Sequence, residues 1–307
     1  MEYNLISILG PTATGKTKLA AGLAYEFNGE IISADSRQVY KGMDIGTGKD
    51  LKDYIVEGSQ IPFHLIDIIE PTGEFNLFLF KNYFYKAYNS IFKKSKIPIL
   101  VGGTGLYLSS IIQNYDLKKA DFETDRINKL NNFDIASLTN ILLKLNPKLH
   151  NTTDLLDKER IIKAILIAES NEQIQNEEIE IRSLNIGIMP SRDLLKNRIT
   201  ERLKHRLQNG MIEEVKNLID NGISYEKLNF FGLEYKYLGL YLKGELNYND
   251  MYQKLNSAIH NFAKRQITWF KKMEREGVII NWIEGPDIIK AKEIILQNKY
   301  YSPTYEK

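Results

Sequence analysis

The stretch GPTATGKT, from Gly10 to Thr17, decides the fold of this 307-residue chain. It matches the pattern G-x-x-x-x-G-K-[ST] of a phosphate-binding loop. The apolar segment Tyr3 to Leu9 before it predicts a buried strand, and Thr17 to Phe27 after it carries apolar residues at helical spacing. Strand, glycine-rich turn and helix together point backbone N–H groups at an anion. The stretch therefore predicts a phosphate site, but not which phosphate compound binds there.

Two side chains of this loop are candidates for direct contact with the ligand. We expect Lys16 to contact the terminal phosphates as a point charge. We expect the Thr17 hydroxyl to help hold Mg²⁺, which prefers waters, a few hard ligands and phosphate oxygens. The other residues of the predicted phosphate site are Gly10, Pro11, Thr12, Ala13, Thr14 and Gly15.

Apolar runs and helical segments alternate after the loop. The segments Glu30 to Ser33, Phe63 to Ile69 and Ile97 to Val101 predict strands. The segment Asn76 to Lys93 has the spacing of a helix. This alternation predicts an α/β fold, a P-loop NTPase-like parallel sheet with helices on both faces.

Changes in composition predict three segments. Residues 1–115 form the P-loop α/β core, residues 116–151 a small helical insertion rich in Asn and Lys, and residues 152–307 the remainder of the core with a basic helical C-terminal part. From Thr152 to Gly277 we predict helix almost throughout. A final strand is predicted at Val278 to Trp282 and a last helix at Asp287 to Gln297.

Composition excludes several classes of protein. The 43% hydrophobic content is sufficient for a core, and the formal net charge of +2 is too small to indicate nucleic-acid binding by itself. The absence of cysteine excludes disulfides, thiol catalysis and Cys-ligated zinc, and it fits a reducing cytosol. No signal-like N-terminus or apolar run of spanning length is present, so we expect a cytoplasmic protein without a membrane segment.

Polar loops follow several of the predicted strands, where a parallel sheet binds its ligands. Asp35 follows the second strand, where its carboxylate can bind Mg²⁺, accept a proton from a nucleophile or cap its own loop. The Gln38 amide can form a bidentate contact with an adenine edge, or it can be an ordinary surface side chain. In GGTGLY, Gly102 to Tyr107, Thr104 can donate to a phosphate, although a tight structural turn explains the glycines equally well.

One acidic residue expected of a P-loop NTPase is missing. Such enzymes usually end an apolar strand with an Asp that holds Mg²⁺. The strand Ile97 to Val101 continues directly into glycine, and Asp67 is the only comparable candidate. This pattern weakens a simple ATPase or GTPase interpretation.

The C-terminal half carries two basic stretches, and the second of them has the aromatic residues Phe262, Trp269 and Phe270 interleaved with its charges. Such stretches suit an RNA backbone and unstacked bases, or they form a solvated helix face over core aromatics. Their charged members are Arg192, Lys196, Arg198, Arg202, Lys204 and Arg206 in the first stretch, and Lys264, Arg265, Lys271, Lys272 and Arg275 in the second.

Together these motifs resemble the tRNA dimethylallyltransferase family, also called tRNA isopentenyltransferase. The resemblance rests on segments that follow the family's order and cover most of the chain outside the insertion. They are GPTATGKT, SADSRQVYKGMDIGTGK, GGTGLY, DKERIIKAI, RITERLKHRLQNGMIEEV and HNFAKRQITWF.

The resemblance implies transfer of a dimethylallyl group from dimethylallyl diphosphate to the N6 amine of the adenosine 3′-adjacent to the tRNA anticodon. It implies that Asp35 is the general base, that Gln38 contacts the target adenine, and that Thr104 and Arg126 act on the diphosphate. It also implies that the P-loop holds the donor's diphosphate, with Mg²⁺. Further tRNA contacts are implied at Ser36, Arg37, Glu159, Arg160, Ile161, Ile162, Lys163, Arg198, Arg202, Lys264, Arg265 and Gln266.

Three other functions compete with this one. An adenylate isopentenyltransferase would prenylate free nucleotide, a P-loop small-molecule kinase would transfer phosphate from ATP, and a non-catalytic relative would only bind tRNA. The basic C-terminal segment favours tRNA over free nucleotide. The partners that we expect are the tRNA anticodon stem-loop and dimethylallyl diphosphate, bound by a monomer.

Overall fold

The computed structural model describes residues 2–115, 118–119, 124–145, 155, 157–169, 172–173 and 179–298. The chain divides into two compact units. The larger unit comprises Met1–Asn114 and Glu180–Lys307, and the smaller one comprises Tyr115–Ile179. The smaller unit therefore continues beyond residue 151, where the sequence indicated the end of the insertion, since a helix within residues 152–179 belongs to its core.

Ten strands are described, of which six form one parallel sheet in the order β10, β9, β1, β6, β2, β5. The pairs β3 with β4 and β7 with β8 are antiparallel. The strands are β1 (Leu5–Leu9), β2 (Gly29–Ala34), β3 (Ile55–Val56), β4 (Ser59–Gln60), β5 (Phe63–His64), β6 (Ile97–Gly102), β7 (Lys118–Lys119), β8 (Glu172–Gln173), β9 (Ser183–Ile188) and β10 (Ile280–Ile283).

Helices alternate with the strands in the first part of the chain and dominate the second. A short 3-10 helix lies at Leu51–Tyr54. The α-helices are α1 (Lys16–Glu26), α2 (Leu77–Lys93), α3 (Gly105–Ile112), α4 (Thr124–Asn131), α5 (Ile135–Leu145), α6 (Lys158–Glu169), α7 (Arg192–Gln208), α8 (Met211–Asp220), α9 (Tyr225–Phe231), α10 (Leu233–Leu242), α11 (Tyr248–Arg275) and α12 (Ile288–Gln297). In the described part of the chain, no helix combines the length and the apolar character needed to cross a membrane.

The core of the larger unit lies around β1 and α1. Every residue of β1 is buried, because this strand is paired on one edge with β6 and on the other with β9. Helix α1 has small residues on its buried side, among them Ala20, Ala21 and Gly22. A Cβ atom on Gly22 would lie 2.7 Å from Ile288 Cδ1, so the small residue allows α12 to approach.

The parallel α/β sheet and the helical C-terminal part are confirmed, and two strand predictions are wrong. The strand predicted from Phe63 to Ile69 ends at His64, because Leu65 and Asp67 have positive φ angles of 65° and 53° and cannot continue it. Strand β9 lies within a stretch predicted to be helical. Its partners β1 and β10 are both distant in sequence, so local spacing did not reveal the pairing.

A buried carboxylate joins three segments at the amino ends of the sheet strands. The Glu30 side chain, 1% exposed, contacts His64, Lys94 and Lys96 at 2.8, 3.2 and 3.0 Å. Desolvation raises its pKa, but hydrogen bonds from His64, Lys96 and Lys94 outweigh this effect and lower the pKa to about 2. Stability from this group is therefore present above pH about 5 and is lost as the pH falls towards 2.

We predict that Glu30→Gln removes most of the pH dependence of stability that comes from this carboxylate. The difference between the ordinary pKa of 4.5 and the folded value of about 2 corresponds to about 3 kcal/mol of unfolding free energy at neutral pH. Urea unfolding between pH 3 and pH 7 measures the effect. The control is Glu70→Gln, since Glu70 and its partner Lys41 are both more than half exposed. An equally steep pH profile in Glu30→Gln would contradict the assignment.

Candidate functional site at the phosphate-binding loop

The loop between β1 and α1 is curled by two residues with left-handed backbone. Ala13 has a φ angle of 62° and Gly15 one of 81°. The Thr14 hydroxyl and the Lys16 ammonium both donate to the Pro11 carbonyl, at 3.0 and 2.6 Å. Successive N–H groups and the start of α1 thus face the same concave space, which is the arrangement that binds phosphate.

This concave space is a cavity of about 330 Å³ at the carboxyl ends of β1, β2 and β6. The sequence predicted that three polar loops would meet there, and residues from all three line it. Gly102 and Gly103 represent the third loop, whereas Thr104 is not part of the lining. The lining side chains that carry a polar or charged group are Thr12, Thr14, Lys16, Thr17, Ser33, Asp35, Gln38, Thr47, Asp50, Asp53, Tyr54, Arg198, Arg202 and Gln266.

Asp35 lies immediately after β2 with its carboxylate in a fixed orientation. Its Oδ1 atom accepts the N–H groups of Arg37 and Gln38 at 2.8 and 3.3 Å. The loop-capping role considered from the sequence is therefore present. Among the described residues only Oδ1 is used in this way, so Oδ2 can still bind a metal or accept a proton.

Gln38 is not an ordinary surface glutamine. Its Oε1 atom accepts a hydrogen bond from the Ser33 hydroxyl at 3.1 Å, and its Nε2 atom donates to the Gly48 carbonyl at 3.1 Å. These two bonds fix which end of the amide is the oxygen. One donor and one acceptor position remain for a ligand in the cavity.

Helix α11 holds two of the loops together. The Gln266 side chain accepts the Thr12 N–H at 2.8 Å and donates to the Gly103 carbonyl at 2.8 Å. Gln266 is only 6% exposed and lines the cavity, and its predicted contact with tRNA stays a prediction. A Cβ on Gly103 would lie 2.4 Å from the Gln266 amide, and one on Gly105 would lie 2.4 Å from the Trp269 ring. The glycines of GGTG thus allow α11 to approach the loop.

Two arginines predicted to contact tRNA lie at the phosphate cavity. Arg202 donates to the Thr12 hydroxyl at 3.3 Å and to Asp50 at 3.0 Å, and Arg198 also lines the cavity. Their spacing of four residues places them on one side of α7. That spacing is a signal in the sequence for a shared anion site. Asp50, Asp53, Tyr54 and Phe262 also line the cavity, and nothing in their local sequence marks them as lining residues.

Other predicted residues lie elsewhere. Asp67 forms an ion pair with the buried Lys49 side chain and is not part of the cavity lining. Arg37 lies 4.7 Å above the Phe230 ring. Ser36 is half-buried, and Lys264 and Arg265 are exposed on α11. Their predicted contacts with tRNA stay predictions.

The remaining predicted residues belong to the smaller unit. Arg126 forms an ion pair with Glu169 there. The side chains of Ile161 and Ile162 are buried in the apolar core of this unit with Leu130 and Leu138, and the predicted contacts of these two residues with tRNA stay predictions. The flanking residues Glu159, Arg160 and Lys163 are exposed. Their predicted contacts, like that of Arg126 with phosphate, stay predictions.

Lys16 has an unusual protonation equilibrium. Desolvation by burial and, to a smaller extent, the Arg202 charge lower its pKa, the Asp35 charge partly opposes them, and the net result is a pKa of about 7. Without a ligand, the charged form of Lys16 is therefore disfavoured. An anion in the cavity would restore the charged form.

The oxygen atoms of the cavity fit Mg²⁺. The Thr17 hydroxyl and the Asp35 carboxylate line it together with Asp50 and Asp53. Within the described residues there is no cluster of three acidic or histidine side chains that could hold a metal alone. Mg²⁺ keeps several waters and shares phosphate oxygens, so it needs only a few protein oxygens such as the Thr17 hydroxyl.

The fold and this cavity have the features of a P-loop protein, with a loop shaped for a phosphate compound beside the Asp35 carboxylate and the Gln38 amide. A family model described as IPP transferase matches residues 38–273, and one described as Isopentenyl transferase matches residues 3–63. The chain belongs to the IPP transferase family.

Similar proteins cover almost the whole chain. It is 50% identical over 299 residues to tRNA dimethylallyltransferase 1 of Geotalea uraniireducens (strain Rf4), covering 97% of this chain and 98% of the relative. It is 52% identical over 286 residues to tRNA dimethylallyltransferase 1 of Geotalea daltonii, covering 93% and 92%. The crystal structure of a tRNA isopentenylpyrophosphate transferase from Bacillus halodurans is 31% identical, with a TM-score of 0.67 and coverage of 96% and 94%.

We predict that diphosphate binding is coupled to protonation of Lys16. Because the pKa of Lys16 is about 7 before binding, the wild-type affinity for inorganic diphosphate should weaken by about tenfold per pH unit above pH 7. Calorimetric titration between pH 6 and pH 9 measures this trend. Lys16→Arg is the control, because it keeps the charge and does not titrate in this range. Parallel pH profiles for the two proteins would contradict the prediction.

Proposed function

We propose that this protein transfers a dimethylallyl group from dimethylallyl diphosphate to the N6 amine of the adenosine 3′-adjacent to the anticodon of tRNA. The products are N6-isopentenyladenosine and diphosphate. The observation that supports this proposal best is one cavity lined by a P-loop, by the Asp35 carboxylate and by the Gln38 amide. The reaction needs a group that binds the diphosphate, a group that accepts a proton and a group that binds the adenine.

The phosphate side of the cavity stabilises the leaving group. When the bond between the allylic carbon and the diphosphate oxygen lengthens, negative charge grows on that oxygen and positive charge on carbon. Lys16 and Arg202 lie where they can neutralise the oxygen charge, with the N–H groups at the start of α1. We propose Mg²⁺ as the cofactor at the Thr17 hydroxyl, where it would supply further neutralisation of the diphosphate.

Asp35 supplies the base. The N6 amine forms a bond to the allylic carbon as the carbon–oxygen bond breaks, and the amine proton passes to the Asp35 carboxylate. Because Oδ1 is held by two backbone N–H groups, the free Oδ2 atom is the proton acceptor that we propose. Gln38 holds the adenine through its remaining donor and acceptor positions.

The exposed basic side of α11 forms the surface for tRNA. Lys264 and Arg265 are exposed next to Gln266, the residue of the same helix that lines the cavity. The Phe262 ring also lines the cavity and lies 5.8 Å from the Arg265 guanidinium. An anticodon-loop adenosine is unpaired, so turning it into the cavity costs little free energy. We propose that the protein acts as a monomer in the cytoplasm.

One experiment distinguishes this function from its alternatives. Purified protein is incubated with unmodified tRNA, Mg²⁺ and dimethylallyl diphosphate, and digested nucleosides are analysed by mass spectrometry. We expect isopentenyladenosine from tRNA, and none when AMP replaces the tRNA. Prenylation of AMP alone would support an adenylate isopentenyltransferase instead. Phosphate transfer from ATP without any prenyl requirement would support a kinase.

We predict that Asp35→Asn lowers kcat by about 100-fold or more, the usual contribution of a general base. The amide oxygen can still accept the two backbone N–H groups, so the loop is retained while the proton acceptor is lost. Tight tRNA binding should persist within about threefold, measured by filter binding. Asp193→Asn is the control, because that side chain is 92% exposed on α7. Loss of tRNA affinity with unchanged kcat would contradict the base assignment.

We predict that the double variant Lys264→Gln/Arg265→Gln weakens tRNA binding in a salt-dependent manner. Removing two phosphate contacts should reduce the slope of log Kd against log salt by about 1.4 to 1.8. Fluorescence anisotropy between 50 and 300 mM KCl measures this slope. The double variant Lys216→Gln/Lys290→Gln removes two exposed charges elsewhere and should leave the slope unchanged. Equal slopes in both variants would exclude this face of α11 from the interface.

A further inference from the structure

Glu214, on helix α8, binds the backbone of a loop that lies 168 or more residues earlier in the chain. Its Oε2 atom accepts the N–H groups of Asp44 and Ile45 at 2.8 and 2.6 Å, and its Oε1 atom accepts the Gly46 N–H at 3.0 Å. Three consecutive backbone donors to one carboxylate form a set of charge-assisted hydrogen bonds. This carboxylate therefore fixes the path of the loop.

Tyr235 completes this arrangement from helix α10. Its hydroxyl donates to Glu214 Oε1 at 2.7 Å, and the ring is 1% exposed. A Cβ on Gly46 would lie 2.6 Å from the ring carbon that carries the hydroxyl. A carboxylate and an aromatic ring that are hydrogen-bonded to each other thus both lie at Gly46 of the loop.

The loop held by Glu214 also orients the Gln38 amide. Within it, the Gly48 N–H donates to the Ile45 carbonyl at 3.2 Å. The Gly48 carbonyl in turn accepts the Gln38 amide hydrogen at 3.1 Å. A continuous chain of hydrogen bonds therefore runs from Glu214 through the loop to the residue that lines the cavity.

We propose that Glu214 is a positioning residue for adenine recognition, acting through Gly48 and Gln38. This inference rests on the proposed function, in which Gln38 contacts the target base. An amide distinguishes adenine from other bases only if its N–H group faces the acceptor atom of the base and its oxygen faces the donor atom. The Ser33 hydroxyl fixes the oxygen of the Gln38 amide. Glu214, by holding the loop, keeps the Gly48 carbonyl beside the nitrogen of the same amide.

Nothing in the leaving-group chemistry requires Glu214. Its bonds are made to the backbone of residues 44–46 and to Tyr235, and it is absent from the lining of the phosphate cavity. A loss of Glu214 should therefore impair use of the RNA substrate and spare diphosphate binding. That separation distinguishes positioning of the base from a general loss of structure.

The test uses a double-mutant cycle with an anticodon stem-loop RNA and saturating dimethylallyl diphosphate. We expect Glu214→Gln and Gln38→Ala each to lower kcat/KM for the RNA by roughly 10-fold to 100-fold, the range for loss of a bidentate base contact. The double variant should be no worse than Gln38→Ala alone, because both changes remove one interaction. The Kd for inorganic diphosphate should stay within about twofold. Glu213→Gln is the control, an exposed carboxylate in the same helical turn.

If Glu214→Gln does not fold, Tyr235→Phe provides the same cycle, since it keeps the ring and removes one hydrogen bond to Oε1. Additive losses in the double variant would overturn the proposal, as would a Glu214→Gln enzyme equal to Glu213→Gln. An equal loss of diphosphate affinity would also overturn it. A wild-type protein that does not prenylate the stem-loop would overturn the proposed function and this inference together.

Discussion

The buried amide of Gln266 is the contact on which the geometry of the site depends. It pairs the Thr12 N–H of the P-loop with the Gly103 carbonyl after β6. Neither backbone group could be left unpaired in a buried position without a cost of about 1–3 kcal/mol. Because Gly103 has no Cβ, α11 can come close enough to make both bonds. A helix far along the chain thereby fixes the distance between two loops of the sheet edge.

Charge in the cavity is arranged for an anion before the anion binds. Lys16 and Arg202 repel each other, and burial adds a desolvation cost that lowers the Lys16 pKa. Asp35 and Asp50 compensate part of this repulsion. A P-loop in such surroundings need not serve phosphoryl transfer. The same donors that hold the phosphates of a nucleotide can stabilise a diphosphate that leaves from carbon.

The adenine side of the cavity depends on fixed orientation. Asp35 is held by the N–H groups of its own loop, and Gln38 is held between Ser33 and Gly48. Rigid polar groups lose little conformational entropy when they bind a base. The loop that carries Gly48 is stabilised in turn by Glu214. In the proposed function, selectivity for the base would therefore depend on residues remote from the reacting atoms.

The sequence by itself determined the P-loop, the parallel sheet and the nearness of Asp35, Gln38 and the GGTG loop, because each follows from local spacing and from the common edge of parallel strands. It did not reveal β9, whose partners are distant in the chain. It also could not tell that Gln266 faces inward while its neighbours Lys264 and Arg265 are exposed. Only the tertiary structure decided those roles, because burial depends on which helix covers which loop, and that pairing joins residues more than 150 positions apart.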